Sequence, residues 1–128
     1  GHGLTAMIPK YEFMKEVRWR GLMTGIEFGP PKSLTLKLAW TTCHTLDKSL
    51  FPQAAIIPLL DKRHIITQVA GHNVDVVKLL PPLVISEADV KYFLTAFEDV
   101  MVQMHKFPGP AWDVLMGIGK MALTQRAR

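Results

Sequence analysis

The chain has 128 residues, 48% of them hydrophobic and 20% charged, with a formal charge of +4. That is enough for one domain with a real core, and it excludes wholesale disorder. A charge so small does not single out nucleic acid as a partner, and no apolar run reaches the roughly 18 residues of a membrane span. In chain order, the sequence begins Gly1-His2-Gly3 rather than Met, which reads as a processed, tagged or truncated start without a signal peptide. Leu4 to Tyr11 is short and holds Pro9. Phe13 to Phe28 reads as two strands, Val17–Arg20 and Leu22–Phe28, around a tight turn at Arg20-Gly21. Leu22, Thr24, Ile26 and Phe28 share one face. Gly21 suits a turn with positive φ, and Gly25 marks a bulge or a close backbone approach. Arg18 and Arg20 lie on an exposed strand face or meet a partner.

Gly29-Pro30-Pro31 ends the hairpin, and Ser33 caps a helix over 33–47 with Leu34, Leu38, Thr41 or Thr42, and Thr45 or Leu46 on one side. Cys43 and His44 are adjacent on it. Helical neighbours point about 100° apart, so they are not read as nucleophile and base, and Cys43 reads as a small buried thiol. The five histidines and the single cysteine show no paired ligand spacing, so no metal site is expected. One cysteine also excludes an intrachain disulfide and fits a reducing, cytoplasmic compartment. Ser49 to Leu60 reads as a short apolar helix that ends or kinks at Ile57, before Pro58. Ile65–Ala70 and Val76–Leu80 form a second antiparallel pair around the turn at Gly71-His72-Asn73.

Pro81 and Pro82 stop that pairing. Ser86 is an N-cap, with Asp89 as its capping-box acid. The following helix, 87–105, places Val90, Phe93, Leu94, Phe97, Val100, Met101 and Met104 in one apolar stripe. It ends near His105-Lys106, where cations suit the negative end of the dipole. Phe107-Pro108-Gly109-Pro110 breaks it. A last helix opens at Pro110, with Ala111, Leu115, Ile118 and Ala122 on one side. Gly117 and Gly119 weaken this helix unless something packs closely on them. The expected fold is a two-layer α+β domain: an antiparallel sheet of about four strands, one face covered by the helices at 33–47 and 87–105. No Gly-rich phosphate loop and no Ser/His/Asp set is visible, and no catalytic residue is assigned.

Two stretches carry a resemblance. Lys78-Leu79-Leu80-Pro81-Pro82-Leu83-Val84-Ile85-Ser86-Glu87-Ala88-Asp89, followed by an amphipathic helix, resembles the C-terminal end of class III pyridoxal-phosphate aminotransferases, the group of the ornithine, acetylornithine, putrescine and 4-aminobutyrate enzymes. Upstream, Glu16-Val17-Arg18-Trp19-Arg20-Gly21-Leu22-Met23-Thr24-Gly25-Ile26-Glu27-Phe28 is similar to that family's "VRGRGLMxGIEF" hairpin. The resemblance covers about residues 10 to 106, with a longer, more apolar segment at Ser49–Leu60 than the family has. It implies one domain over 1–128, the small C-terminal domain of a longer chain: 1–12 as a truncated lead-in, 13–106 as a family-like core, and 107–128 as a C-terminal helical extension.

The same resemblance implies where the chemistry lies. The family's lysine that carries pyridoxal phosphate sits on a large domain upstream of everything matched here. This chain alone is therefore expected to bind no cofactor and to lack activity. In the full enzyme, a homodimer, it would close the active site and contact the substrates: an amino donor and a 2-oxo acid or aldehyde acceptor. Family members often place an arginine just before an "LAPPL" or "FAPPL" stretch, where it clamps a substrate carboxylate. Lys78 stands there in this chain. Lysine replaces a planar fork by a point charge, so a single ion pair, a substrate without that carboxylate, and a lysine merely reaching solvent all remain open. Two other readings also remain: a stand-alone α+β interaction module, and a basic module that binds membrane or nucleic acid through its last helix.

Overall fold

The computed structural model describes residues 1–128. Its elements are α1 (His2–Thr5), β1 (Met14–Arg20), β2 (Met23–Phe28), α2 (Leu34–Leu46), α3 (Gln53–Arg63), β3 (Gln68–Val69), β4 (Val76–Leu79), α4 (Glu87–Met104) and α5 (Pro110–Arg126). The strands form one antiparallel sheet in the order β1-β2-β4-β3. This is the expected α+β architecture. No helix is long and apolar enough to cross a membrane.

The β1–β2 turn is tight because Gly21 takes the left-handed conformation (φ 59). The pairing slips once, between Met14 and Glu16. Lys15 is the extra residue, so Met14 and Val17 both face the core although three positions apart. The bulge is therefore at the start of β1. Gly25 keeps regular register, opposite Arg18 and Lys78. The expected strand Ile65–Ala70 shrinks to Gln68–Val69, and Leu80 lies beyond β4, exposed.

Thr24, Ile26, Phe28, Val17 and Val77 turn the sheet's inner face toward the helices. Phe97, Val100, Met101 and Met104 of α4 join them in a single core, whereas Val90, at the start of the stripe, is 42% exposed. Ser86 caps α4 as its sequence requires. Its hydroxyl accepts from the Asp89 N–H (3.2 Å), and the Asp89 carboxylate accepts from the Ser86 N–H (2.9 Å). These bonds also hold the Asp89 carboxyl below its usual range.

Three expectations fail for physical reasons. Helix α2 buries Leu36, Ala39 and Cys43, leaving Leu34 (85%) and Leu38 (61%) in the open. Its core face is made of smaller side chains, and α5 packs close against it. Helix α3 does not stop at Ile57. It runs through Pro58 to Arg63, losing one backbone bond at the proline but keeping Ala54, Ala55 and Leu59 buried. It closes at His64 (φ 56), where the His64 N–H bonds the Leu60 carbonyl (3.0 Å) and the Ile65 N–H bonds Leu59 (2.9 Å), a Schellman ending. His105 does not serve as a cation at the end of α4. Burial pushes its pKa down. Its Nδ1–H donates to the Met101 carbonyl (2.6 Å) and its Nε2 accepts from the Phe13 N–H (3.3 Å), a pairing that only the neutral ring can make.

Helix α5 lies against α2 and α3. Its buried line is Trp112, Leu115 and Gly119, with Ala111, Ile118 and Ala122 only half-buried. A Cβ on Gly119 would stand 3.0 Å from Leu50 Cδ2, whereas one on Gly117 would meet nothing. Trp112 Nε1–H donates to the Met104 carbonyl (2.9 Å). Its ring closes an aromatic cluster with Phe13 (5.8 Å) and Phe51 (6.1 Å), to which Trp40 adds (4.4 Å from Phe51).

Candidate functional site

With one sheet face buried under helices, the other is free. Strand alternation places Glu16, Arg18, Glu27, Gly25 and Lys78 on it. Glu16 and Glu27 are directly opposite each other, an arrangement that repels unless cations intervene. Arg18 does so. Its Nη1 reaches Glu16 (2.8 Å) and Glu27 (2.6 Å), and Lys15 adds a bond to Glu27 at 3.2 Å. The bond from Arg18 first, then that from Lys15, hold the Glu27 carboxyl below its ordinary range against partial desolvation. Arg18 thus belongs to an ion-pair group on the strand surface.

Lys78 sits at the next cross-strand position. It is half-buried, pairs with Gly25 on β2 and Gln68 on β3, and has no carboxylate partner. Leu79 and Leu80 follow it, then Pro81 and Pro82 turn the chain toward α4. The two stretches singled out in the sequence, the hairpin and the Lys78–Asp89 run, therefore meet as neighbouring strands.

Cys43 and His44 behave as separate groups. Burial first, then Asp75 and Asp47, push the Cys43 thiol up to about 12, so it carries no thiolate chemistry near neutral pH. His44 stacks on Trp40 (4.1 Å) and bridges the Trp40 carbonyl (Nδ1, 2.8 Å) to Asp75 Oδ2 (Nε2, 2.9 Å). It ties α2 to the turn that leads into β4. Asp75 was not legible as its partner, because the two meet only through the fold. No group of three or more His, Cys, Asp or Glu is placed to hold a metal.

No family model matches the chain. It is 32% identical over 91 residues to an uncharacterised aminotransferase of Schizosaccharomyces pombe, covering 70% of this chain and 17% of that protein. It is 24% identical over 134 residues to the aminotransferase PigE of a Serratia species, covering 81% and 16%. The crystal structure of acetylornithine aminotransferase from Elizabethkingia anophelis matches 79% of this chain and 22% of its own, with a TM-score of 0.50 and 20% identity. The fold is that of an aminotransferase C-terminal domain.

This aminotransferase-like domain spans about one sixth of the length of the curated relatives it matches. Pyridoxal phosphate, the cofactor of such enzymes, needs an enclosed lysine and a cup of donors for its phosphate. The domain's own clefts do not fit that need. One, of about 510 Å³ between the sheet edge and the first half of α4, is lined by Leu22, Ile65, Leu79, Val90 and Phe93 and has no lysine. The other, of about 540 Å³ among α3, α4 and α5, has Lys62 and Arg63, and Arg63 is paired with Asp99. No catalytic step is built from these residues.

Proposed function

We propose that the chain is the small C-terminal domain of a class III pyridoxal-phosphate aminotransferase, with residues 13–106 as the family-like core and 107–128 as an added helix. The observation that carries this reading is the meeting of the two motifs: the hairpin and the Lys78-Leu79-Leu80-Pro81-Pro82 run form adjacent strands, β2 and β4, whose free face bears Lys78. The sequence likeness to two aminotransferases supports it. The cofactor belongs to a large domain elsewhere in the longer chain, which acts as a homodimer. The free face closes over the substrate pocket, and Lys78 makes one ion pair with a substrate carboxylate. A 2-oxo acid or aldehyde accepts the amino group from an amine or amino acid. A single buried cysteine fits a cytoplasmic setting.

The test is cofactor absorbance and turnover with an amino donor and 2-oxoglutarate, on the 128-residue chain and on the full-length protein. Turnover is expected only from the full-length protein. Lys78→Ala there should raise KM for an acidic substrate more than for a diamine. Stoichiometric cofactor binding with turnover by the 128-residue chain would overturn the domain assignment, and equal effects on both substrates would remove the carboxylate role.

A further inference from the structure

The row across the free sheet face runs Arg18, Gly25, Lys78, Gln68, one residue per strand. Gly25 is its only position without a side chain, and the fold does not explain the gap. Its φ is not positive; Gly21 is the one glycine in that region. It forms no bulge, because register is regular on both sides. A Cβ there would touch only Val76 Cγ1, at 3.7 Å, an ordinary contact. Glycine inside a strand costs stability relative to a residue with a side chain, so the empty position calls for a reason outside the domain.

The surroundings supply one. Lys78, directly opposite, has no acidic partner. Arg18, on the other side, spends Nη1 on both Glu16 and Glu27 and so draws toward the acidic row. Met23, two residues along β2 on the same face, is 59% exposed, and Val76 flanks the gap on β4. The depression over Gly25 thus has one uncommitted cation and two apolar walls.

We propose that Gly25 is a specificity-determining position: the substrate's carboxylate end lies flat over it, paired with Lys78, with the adjoining carbon chain against Met23 and Val76. This rests on the aminotransferase reading above and adds the reason Lys78 can be reached. It also sets the substrate class as an acid whose carboxylate is followed by an apolar chain segment. A side chain at 25 would fill the space between Lys78 and the ligand.

The experiment compares Gly25→Ala, Gly25→Val and Lys78→Ala in the full-length protein, reading KM and kcat with 2-oxoglutarate and with a diamine, and the thermal midpoint of each variant. Gly25→Val should raise KM for 2-oxoglutarate about tenfold, with kcat and the diamine KM within about twofold, because only ground-state access is lost. Gly25→Ala should give a smaller rise of the same kind. Neither should lower the thermal midpoint, since valine and alanine both fit the strand. Unchanged 2-oxoglutarate KM in both Gly25 variants, with a raised one in Lys78→Ala, would overturn this proposal and leave the parent reading standing. A midpoint lowered by Gly25→Ala would show a structural role and overturn it as well. Equal effects of Lys78→Ala on acid and diamine would remove the parent carboxylate role and this proposal with it.

Discussion

Phe97 offers the sharpest test of how the helices sit on the sheet. It is fully buried in the middle of α4, its ring 5.7 Å from that of Phe93, in the same core as Val17, Ile26 and Val77. Truncation to alanine removes the burial of a ring and leaves a cavity that rigid neighbours fill only in part. The expected cost is about 3–5 kcal/mol. A domain of this size has a total stability of about 5–15 kcal/mol, so the loss is a third or more of it. Val90 lies on the same predicted stripe, seven residues before, but is 42% exposed. Val90→Ala should stay within about 0.5–1 kcal/mol. Urea denaturation followed by tryptophan fluorescence separates the two. With a slope of about 1–3 kcal/mol per molar, Phe97→Ala should lower the midpoint by about 1–2 M and Val90→Ala by a few tenths. Equal shifts, or a Phe97→Ala midpoint within about 0.3 M of the parent, would refute the placement of α4 on the inner face.

Acid should destabilise the domain in two stages. The folded pKa of His105 is depressed by burial, and those of Glu12, Glu27 and Asp89 by hydrogen bonds to their charged forms. A depressed folded pKa gives stability that is present above the unfolded value and lost as pH falls through the folded one. The thermal midpoint should therefore decline below about pH 6.5 and again below about pH 4.3, and His105→Gln should flatten the upper stage; an unchanged upper stage in that variant would assign it elsewhere. The two α5 glycines should respond oppositely. Gly117→Ala should stabilise by about 0.5–1 kcal/mol through helix propensity alone, whereas Gly119→Val forces its side chain onto Leu50 and Leu46 and should destabilise; stabilisation by both would mean that α5 stands away from α2.

The parts of this fold that local chemistry encodes were legible. Ser86 and Asp89 specify a helix start through bonds three residues apart. The alternation in β2 specifies a buried face from Thr24, Ile26 and Phe28. What failed needed distant information. Leu34 and Leu38 look like a core stripe on α2, but α5 and the sheet cover the side with Ala39 and Cys43, and size alone does not reveal which side that is. Pro58 looks like a stop, yet one lost backbone bond is small beside the burial of Leu59 on the next turn. Lys78 was found through resemblance, not through chemistry readable at that position. The vacancy at Gly25 became visible only when cross-strand register put it between Arg18 and Lys78.

The aromatic cluster of Phe13, Phe51 and Trp112 joins segments from the beginning, the middle and the end of the sequence. Synthesis delivers these rings far apart in time. The β1–β2 hairpin can pair early, since its partners are local, but Ile26 and Phe28 have no lid until α4 has left the ribosome, and Phe13 lacks Trp112 until α5 has followed. Contacts of long sequence separation slow folding, because the chain loses entropy in closing the loop before it gains their burial. The nascent domain therefore carries an uncovered apolar sheet for most of its synthesis, which is the interval in which a folding helper has surface to hold and a second nascent chain has surface to stick to.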